Sequence, residues 1–259
     1  MVRFLAIAFL APALSFAGSP SRILIVGDSH TAGPFGLGLL SALDSQPNLE
    51  TALYASCGSR AEHWTGTPYS NRICSREKDY SQAKPVDFGA KDGSRPMKSL
   101  SALVSAGKPD VVVLALGTNS LPTDREASLD RAKKEVVRAI ESAKSRGARC
   151  IWVGPPNEPT ERFPKSVQDC FSSMLRTTVE ANGCRFVDSR DFTNAADTAL
   201  DRSSHLHYYG RAGTKWGEAV GGKIVCDLRP SPQNCGGGSG GGGLSGGTTK
   251  GRVGSGIAN

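Results

Sequence analysis

A serine, a histidine and an aspartate, far apart in the sequence, could together support nucleophilic catalysis. Ser29 stands in the segment Gly27-Asp28-Ser29-His30, and Asp201, His205 and His207 lie near the other end of the chain. A serine hydroxyl needs a neighbouring base, a histidine can supply it, and a carboxylate can hold the histidine in the required tautomer. We therefore predict attack by Ser29 on an acyl carbonyl, with His207 as the preferred base and Asp201 as the candidate acid.

Acyl transfer also needs hydrogen-bond donors for the oxyanion of the tetrahedral intermediate. Three candidates are the side-chain amide of Asn119, the backbone N–H of Gly58 and the backbone N–H of Ser29. Purely local roles remain open, because Ser29 can cap a helix, Asn119 can form an Asx turn and Gly58 can serve only as a turn residue. His30, directly after Ser29, fits either a pocket wall or the surface.

The candidate residues follow apolar segments that are typical of buried parallel strands. We predict strands over residues 23–26, 111–116, 151–153 and 186–187, with a weaker one over residues 51–55. Helical periodicity marks residues 37–43, 128–146, 165–181 and about 212–225. Alternating strands and helices predict an α/β fold with helices on both faces of a parallel sheet, and ligands of such sheets bind beyond the carboxyl ends of the strands.

Three segments differ from this pattern. Residues 1–17 have the layout of a secretory signal peptide, with Arg3 at the start, an apolar stretch and small residues before a cut after Ala17. Residues 58–100 are polar and hold three prolines, which predicts a long loop over the edge of the sheet. The glycine- and serine-rich segment of residues 231–259 predicts a disordered tail. The domain itself is predicted to span residues 18–230.

The seven cysteines predict disulfides, because an exported chain meets an oxidising compartment. An odd number leaves at least one thiol unpaired in the monomer, and we assign it to Cys150, which opens an apolar strand. The other six suggest neighbouring pairs along the sequence, although sequence alone does not fix connectivity. These pairs are Cys57–Cys74, Cys170–Cys184 and Cys226–Cys235.

Composition and charge restrict the classes of molecule that the chain is expected to bind. The net charge of +7 favours anionic partners such as acidic glycans or the cell envelope. The basic residues are scattered and do not alternate with aromatic residues, which argues against nucleic acid. The cysteine spacings match no zinc template and the chain has only four histidines, so we predict no metal and no cofactor. The apolar stretch of the predicted signal peptide is too short to span a bilayer, and no later stretch is long and apolar enough to predict a transmembrane helix.

The blocks described above resemble those of the SGNH, or GDSL, serine hydrolases, a superfamily named for a Ser, a Gly, an Asn and a His. Gly27-Asp28-Ser29 matches the first block, Gly58 the second, Gly117-Thr118-Asn119 the third, and His207 the base of the last. The match covers about residues 22–227. It implies a flavodoxin-like three-layer α/β/α fold with a mostly parallel five-stranded sheet, and carboxylester substrates.

The last block departs from the Asp-x-x-His pattern of this superfamily. Ser204 stands three residues before His207, and Asp201 stands four residues before His205. His207 is preferred because the sequence after it resembles the entry into the final helix of the superfamily. Asp201 could reach the imidazole from a longer turn, and a Ser–His dyad oriented by a backbone carbonyl is the alternative.

These features predict an exported esterase, periplasmic or extracellular, that removes O-acetyl or other short acyl groups from envelope polysaccharide or peptidoglycan. Two alternatives use the same fold. An O-acyltransferase would pass the acyl group to a sugar hydroxyl instead of water. A non-catalytic carbohydrate-binding or envelope module would keep the fold without the reaction, because a fold does not determine a function.

Overall fold

A seven-stranded, mostly parallel sheet runs through the centre of the protein. The computed structural model describes residues 21–71, 74–121, 125–200 and 206–228. The predicted signal peptide of residues 1–17 and the predicted tail of residues 231–259 therefore lie outside the described residues.

The strand order places β1 at the centre of the sheet. In chain order the strands are β1 (Ser21–Gly27), β2 (Leu49–Ser56), β3 (Ser70–Asn71), β4 (Cys74–Lys78), β5 (Val86–Gly89), β6 (Arg95–Pro96), β7 (Val111–Ala115), β8 (Arg149–Val153) and β9 (Arg185–Val187). The main sheet has the order β5-β4-β2-β1-β7-β8-β9, and β3 pairs separately with β6. The five strands from β2 to β9 in this order are parallel, as predicted.

Helices cover both faces of the sheet. They are α1 (Ser29–Ala32), α2 (Pro34–Asp44), α3 (Ala61–Trp64), α4 (Leu100–Gly107), α5 (Arg125–Lys144), α6 (Lys165–Ala181) and α7 (Gly210–Leu228). One core contains side chains of α2 and α7, and the other contains side chains of α3, α4, α5 and α6. The predicted three-layer α/β/α class is confirmed, and the four predicted helices are all present.

Alternation along β1 divides its side chains between the two cores. Ile23 and Ile25 lie in the core with α2 and α7, whereas Leu24 and Val26 lie in the opposite core. All four side chains are buried. A strand that is buried on both faces consists of consecutive apolar residues, which is why the strand can be recognised from the sequence.

The prediction of a loop over residues 58–100 was wrong in part. This segment contains α3 and the antiparallel strands β4 and β5, which extend the expected five-stranded sheet to seven strands. β4 buries Arg76 and Lys78 instead of apolar residues. Arg76 donates to Asp87 and to the Gly33 carbonyl, and Lys78 donates to the Thr51 carbonyl at 2.7 Å. Because these paired charges replace the apolar side chains, hydrophobic periodicity does not mark the strand.

Two disulfides join described cysteines, and one of them corrects the sequence prediction. Cys57–Cys74 forms as predicted. Cys150, predicted to be unpaired, is bonded to Cys184, because the start of β8 lies beside the segment that enters β9. Cys170, predicted to pair with Cys184, is a free cysteine exposed on α6.

The third predicted pair is only half described. Cys226 is disulfide-bonded, whereas Cys235, its predicted partner, lies outside the described residues.

None of the described helices combines the length and the apolar character that crossing a bilayer requires.

Candidate active site

The first site segment lies at the carboxyl end of the central strand. β1 ends at Gly27, and Ser29 is the first residue of α1. Asp28 caps this short helix, because its carboxylate accepts a hydrogen bond from the His30 backbone N–H at 3.0 Å. The sharp change from strand to helix leaves Ser29 partly exposed, while Asp28 and His30 are buried.

His207 reaches Ser29 from a segment 178 residues further along the chain. Its Nε2 lies 3.0 Å from the Ser29 Oγ, which is hydrogen-bonding distance. The next residue, Tyr208, is buried and donates its hydroxyl to the Asn157 carbonyl at 2.5 Å. Burial raises the pKa of the Tyr208 hydroxyl, which keeps it a neutral donor. Tyr208 thereby holds the His207 segment against the loop that follows β8.

The last block is described from Leu206 onward. Asp201 and His205 both lie outside the described residues. The roles of Asp201 as an orienting acid and of His205 as an alternative base therefore stay predictions.

Gly58 follows β2 on a loop that is held by two contacts of the preceding residue, Cys57. Its φ of +75° lies in the region that favours glycine, and a Cβ there would come within 2.8 Å of the Tyr69 hydroxyl. That hydroxyl donates to the Cys57 carbonyl at 2.7 Å, and Cys57 is bonded to Cys74. The backbone of the loop is thus restrained at the residue before Gly58.

Ser59 connects three of the site segments, a role that the sequence analysis missed. Its carbonyl accepts a hydrogen bond from the Asn119 amide Nδ2 at 3.0 Å. Its hydroxyl donates to the Gly27 carbonyl at 3.3 Å and accepts from the Trp64 indole at 3.1 Å. The only signal in the sequence is its position next to Gly58, because its bonds to the other site segments are to groups distant in the sequence.

Asn119 lies in a short 3-10 turn after β7, beside the Ser59 loop. A side-chain amide carries two N–H donors, and one of them serves the Ser59 carbonyl. The second N–H donor is on the same amide nitrogen and therefore also lies at the edge of the site. The structure therefore brings Ser29, Asn119 and the loop of Gly58 to the same end of the sheet as His207.

A buried polar group lies behind Ser29. His30 packs with its ring centroid 5.3 Å from those of His207 and Trp216. Its Nε2 is 3.7 Å from an Oε1 of Glu158, which is itself buried. Burial raises the pKa of the Asp28 carboxyl, and the Glu158 carboxylate adds to this effect. The sequence analysis left His30 between pocket and surface and did not single out Glu158.

Metal ligation finds no support in the part of the chain that is described. No group of three His, Cys, Asp or Glu side chains there is arranged to hold a metal ion.

The arrangement has the parts required for serine-based acyl transfer. A hydroxyl and an imidazole are within hydrogen-bonding distance, so the imidazole can accept the hydroxyl proton. An amide donor and a restrained glycine loop lie at the same edge, where they can face a developing oxyanion.

Comparison with known proteins agrees with this chemistry. Residues 25–211 match the sequence profile of the GDSL-like Lipase/Acylhydrolase family. The comparison with curated proteins found no significant match.

Solved structures with a similar fold include several esterases. A lipase/acylhydrolase from Enterococcus faecalis has a TM-score of 0.54 at 17% identity, over 82% of this chain and 98% of that chain. A carbohydrate acetylesterase family member from Sinorhizobium meliloti has a TM-score of 0.53 at 14% identity, over 79% and 97%. A catalytic mutant of an acetylxylan esterase from Geobacillus stearothermophilus has a TM-score of 0.50 at 17% identity, over 78% and 93%. At these identities the similarity shows the fold.

Proposed function

The chain belongs to the GDSL-like lipase/acylhydrolase family, and we propose that it is an exported serine esterase that removes acetyl or other short acyl groups from an envelope polysaccharide or peptidoglycan. The observation that carries the proposal is the 3.0 Å contact between the Ser29 Oγ and the His207 Nε2. Family membership supports ester hydrolysis, and this contact supports Ser29 as the nucleophile.

In the proposed acylation step, the Ser29 Oγ attacks the acyl carbonyl carbon while His207 takes the hydroxyl proton. The tetrahedral oxyanion accepts hydrogen bonds from the backbone N–H groups of Ser29 and Gly58 and from the Asn119 amide. When the intermediate collapses, the bond to the sugar oxygen breaks and His207 returns the proton to that oxygen. The products of this step are a free sugar hydroxyl and an acyl-Ser29 ester.

Deacylation repeats the chemistry with water. His207 takes a proton from the water, which attacks the acyl-Ser29 carbonyl, and the proton then returns to the Ser29 Oγ as the carboxylic acid leaves. Asp201, if it reaches the imidazole, stabilises the imidazolium in both steps. A sugar hydroxyl in place of water would make the same intermediate an acyl donor, which is the transferase alternative.

Three observations support an acylated envelope glycan as the substrate class. The net charge of +7 favours an anionic polymer. The two disulfides between described cysteines fit an oxidising compartment, where the predicted signal peptide would direct the chain. Carbohydrate acetylesterases are among the proteins that share the fold.

The first test is Ser29→Ala, with hydrolysis of p-nitrophenyl acetate and acetate release from an O-acetylated glycan as the measurements. We expect the variant to lose a factor of about 10³ or more in kcat, because nucleophile and base act as one unit. Ser166→Ala, an exposed serine on α6, is the matched control and should retain wild-type activity. His207→Ala should lose about as much as Ser29→Ala.

The outcomes separate the proposal from its alternatives. Acetate release that depends on Ser29 supports the esterase. If acyl transfer to an added oligosaccharide is faster than hydrolysis, the result favours the transferase. A wild type that turns over no ester but binds the glycan favours the non-catalytic module. A Ser29→Ala variant as active as the wild type would contradict Ser29 as the nucleophile.

A further inference from the structure

We propose that Glu158 and His30 form a buried ion pair that positions both the nucleophile turn and the oxyanion-hole turn of the site. Glu158 would then be a positioning residue, acting through His30 on Ser29 and through Thr118 on Asn119. This inference rests on the proposed function for its effect on catalysis, whereas the existence of the pair does not depend on it.

Glu158 is an acidic residue with a buried side chain, and acidic side chains are rarely buried. It follows the prolines after β8, its side chain has no exposed surface, and the whole residue is 1% exposed. Its backbone is fixed by Gln168, whose amide oxygen accepts from the Glu158 N–H at 2.9 Å and whose amide nitrogen donates to the Glu158 carbonyl at 2.8 Å. The Glu158 side chain therefore extends from a backbone that is held in place on both its N–H and its carbonyl.

The carboxylate contacts the neighbours of two proposed catalytic groups. Its Oε1 accepts a hydrogen bond from the Thr118 hydroxyl at 3.1 Å, and Thr118 directly precedes Asn119. The same oxygen lies 3.7 Å from the His30 Nε2, and His30 directly follows Ser29. One oxygen therefore joins the turn after β1 to the turn after β7. A shift of either turn would move a reacting or stabilising group relative to the other.

Charge explains why these two residues should pair. A carboxylate without exposed surface is costly unless a cation or several donors compensate it. Among the described residues, the ionisable groups beside His30 include Asp28 in its own turn, Glu158 after β8, and His207 and Tyr208 before α7. Burial raises the pKa of Asp28 and of Tyr208, whereas the charge of His30 acts to lower the pKa of Asp28. His30 is thus the group placed to compensate Glu158.

The pair also explains a feature of the sequence. The residue after Ser29 is buried beside the aromatic rings of Trp216 and Tyr208, a position that an apolar side chain could fill. A histidine there can carry a positive charge opposite the Glu158 carboxylate, whose Oε1 lies 3.7 Å from the His30 Nε2.

The experiment measures the protonation of His30 directly, by NMR of the ring nitrogens in isotopically labelled protein. The chain has four histidines, so the His30 signals are assigned by their loss in His30→Gln. We expect His30 to be protonated at pH 7 in the wild type and neutral in Glu158→Gln. Glu161→Gln removes an exposed carboxylate three residues further along the same loop, and should leave His30 protonated.

Kinetics test the positioning role with the same variants. We expect Glu158→Ala to lower kcat about 100-fold and Glu158→Gln only about 10-fold, with KM within a factor of about two. Glutamine keeps an oxygen acceptor for the Thr118 hydroxyl, so it should restore part of what alanine loses. A residue that only fills space would change kcat in proportion to the loss of folded protein, which thermal unfolding of each variant reports.

Two results would overturn the inference. If His30 is neutral at pH 7 in the wild type, or stays protonated in Glu158→Gln, the ion pair does not exist. If Glu158→Ala keeps the wild-type kcat, the pair does not position the site. Should Glu158→Ala fail to fold, the isosteric Glu158→Gln still decides both points. A wild type without esterase activity would refute the proposed function alone, because the NMR measurement needs no substrate.

Discussion

Glu135 is a buried carboxyl that connects the site loop to a neighbouring helix. It lies on α5 and interacts with Glu62 of α3, the helix that follows the loop of Gly58. Burial, and then the Glu62 carboxylate, raise the pKa of Glu135 to about 7, while Arg60 and Arg131 partly oppose this. The contact between α3 and α5 therefore depends on a proton that titrates near neutral pH.

The sign of the resulting pH dependence follows from the direction of the shift. The folded state binds the Glu135 proton more tightly than the unfolded state, whose pKa is near 4.5. The contribution to the free energy of unfolding is complete below about pH 4.5 and is lost as the pH rises through about 7. Glu135→Gln keeps the size of the side chain and carries no charge at any pH, so we expect it to be more stable than the wild type by about 1–3 kcal/mol at pH 8.

Denaturant unfolding at several values between pH 5 and pH 8 measures this difference. Glu141→Gln, an exposed carboxylate on the same helix, is the matched control and should follow the wild type across the range. A difference between Glu135→Gln and the wild type that stays constant with pH would contradict the prediction.

At the scale of elements, two helices bring the halves of the site together. α2 follows Ser29 and α1, and α7 follows the segment of His207. Their backbones approach closely at two glycines, because a Cβ on Gly38 would lie 2.1 Å from the Thr214 carbonyl oxygen and one on Gly217 would lie 2.1 Å from that of Phe35. This contact sets how far the His207 segment stands from the nucleophile turn.

We expect Gly217→Ala to force the two helices apart. The new methyl group meets backbone atoms of α2, which cannot move without the helix, so the free energy of unfolding should fall by about 1–3 kcal/mol. Esterase activity should fall as well, because the Ser29–His207 distance depends on the same contact. Urea unfolding and p-nitrophenyl acetate hydrolysis are the two measurements.

Gly222→Ala on the same helix is the control. A Cβ there has no neighbouring atom within 4 Å, so alanine should stabilise the helix by up to about 1 kcal/mol and leave activity unchanged. Equal effects at Gly217 and Gly222 would show that helix propensity, not the close contact, governs the response.

At the scale of the whole molecule, the two disulfides between described residues sit at opposite edges of the sheet. Cys57 follows the carboxyl end of β2 and adjoins Gly58, whereas Cys150 lies at the amino end of β8. The first bond crosses 17 residues and the second 34, so loop entropy gives both a similar contribution of about 3–4 kcal/mol. Only the first restrains a loop of the candidate site.

Removing each bond separately should distinguish stability from activity. We expect Cys57→Ser/Cys74→Ser and Cys150→Ser/Cys184→Ser to lower the melting temperature by similar amounts. At a temperature where both are folded, only the first should lose kcat, because the Gly58 backbone N–H is then less well placed. Cys170→Ser, at the exposed free cysteine, should change neither property, and equal losses of kcat in both double variants would refute the expectation.

Sequence patterns were sufficient for the elements whose residues repeat a simple rule. The five parallel strands are apolar runs buried on both faces, and α5 buries Ala132, Val136, Ile140 and Ala143 at helical spacing. The order of the site segments along the chain, each after its strand, also follows from the sequence. In a parallel sheet the carboxyl ends of the strands meet at one edge, so the segments of Ser29, Gly58 and Asn119 were expected together.

Other features depended on contacts between residues far apart in the sequence, and only the tertiary structure decided them. The Cys150–Cys184 bond could be assigned only from the relative positions of β8 and β9. The strand β4 could not be recognised in the sequence, because its buried charges are paired with distant residues. Ser59 and Glu158 gain their importance from hydrogen bonds to groups more than 30 residues away. Hydrophobic periodicity shows which side chains of a segment face the core, because burial acts on each side chain separately. A hydrogen bond or a disulfide, in contrast, forms only where two particular atoms come together.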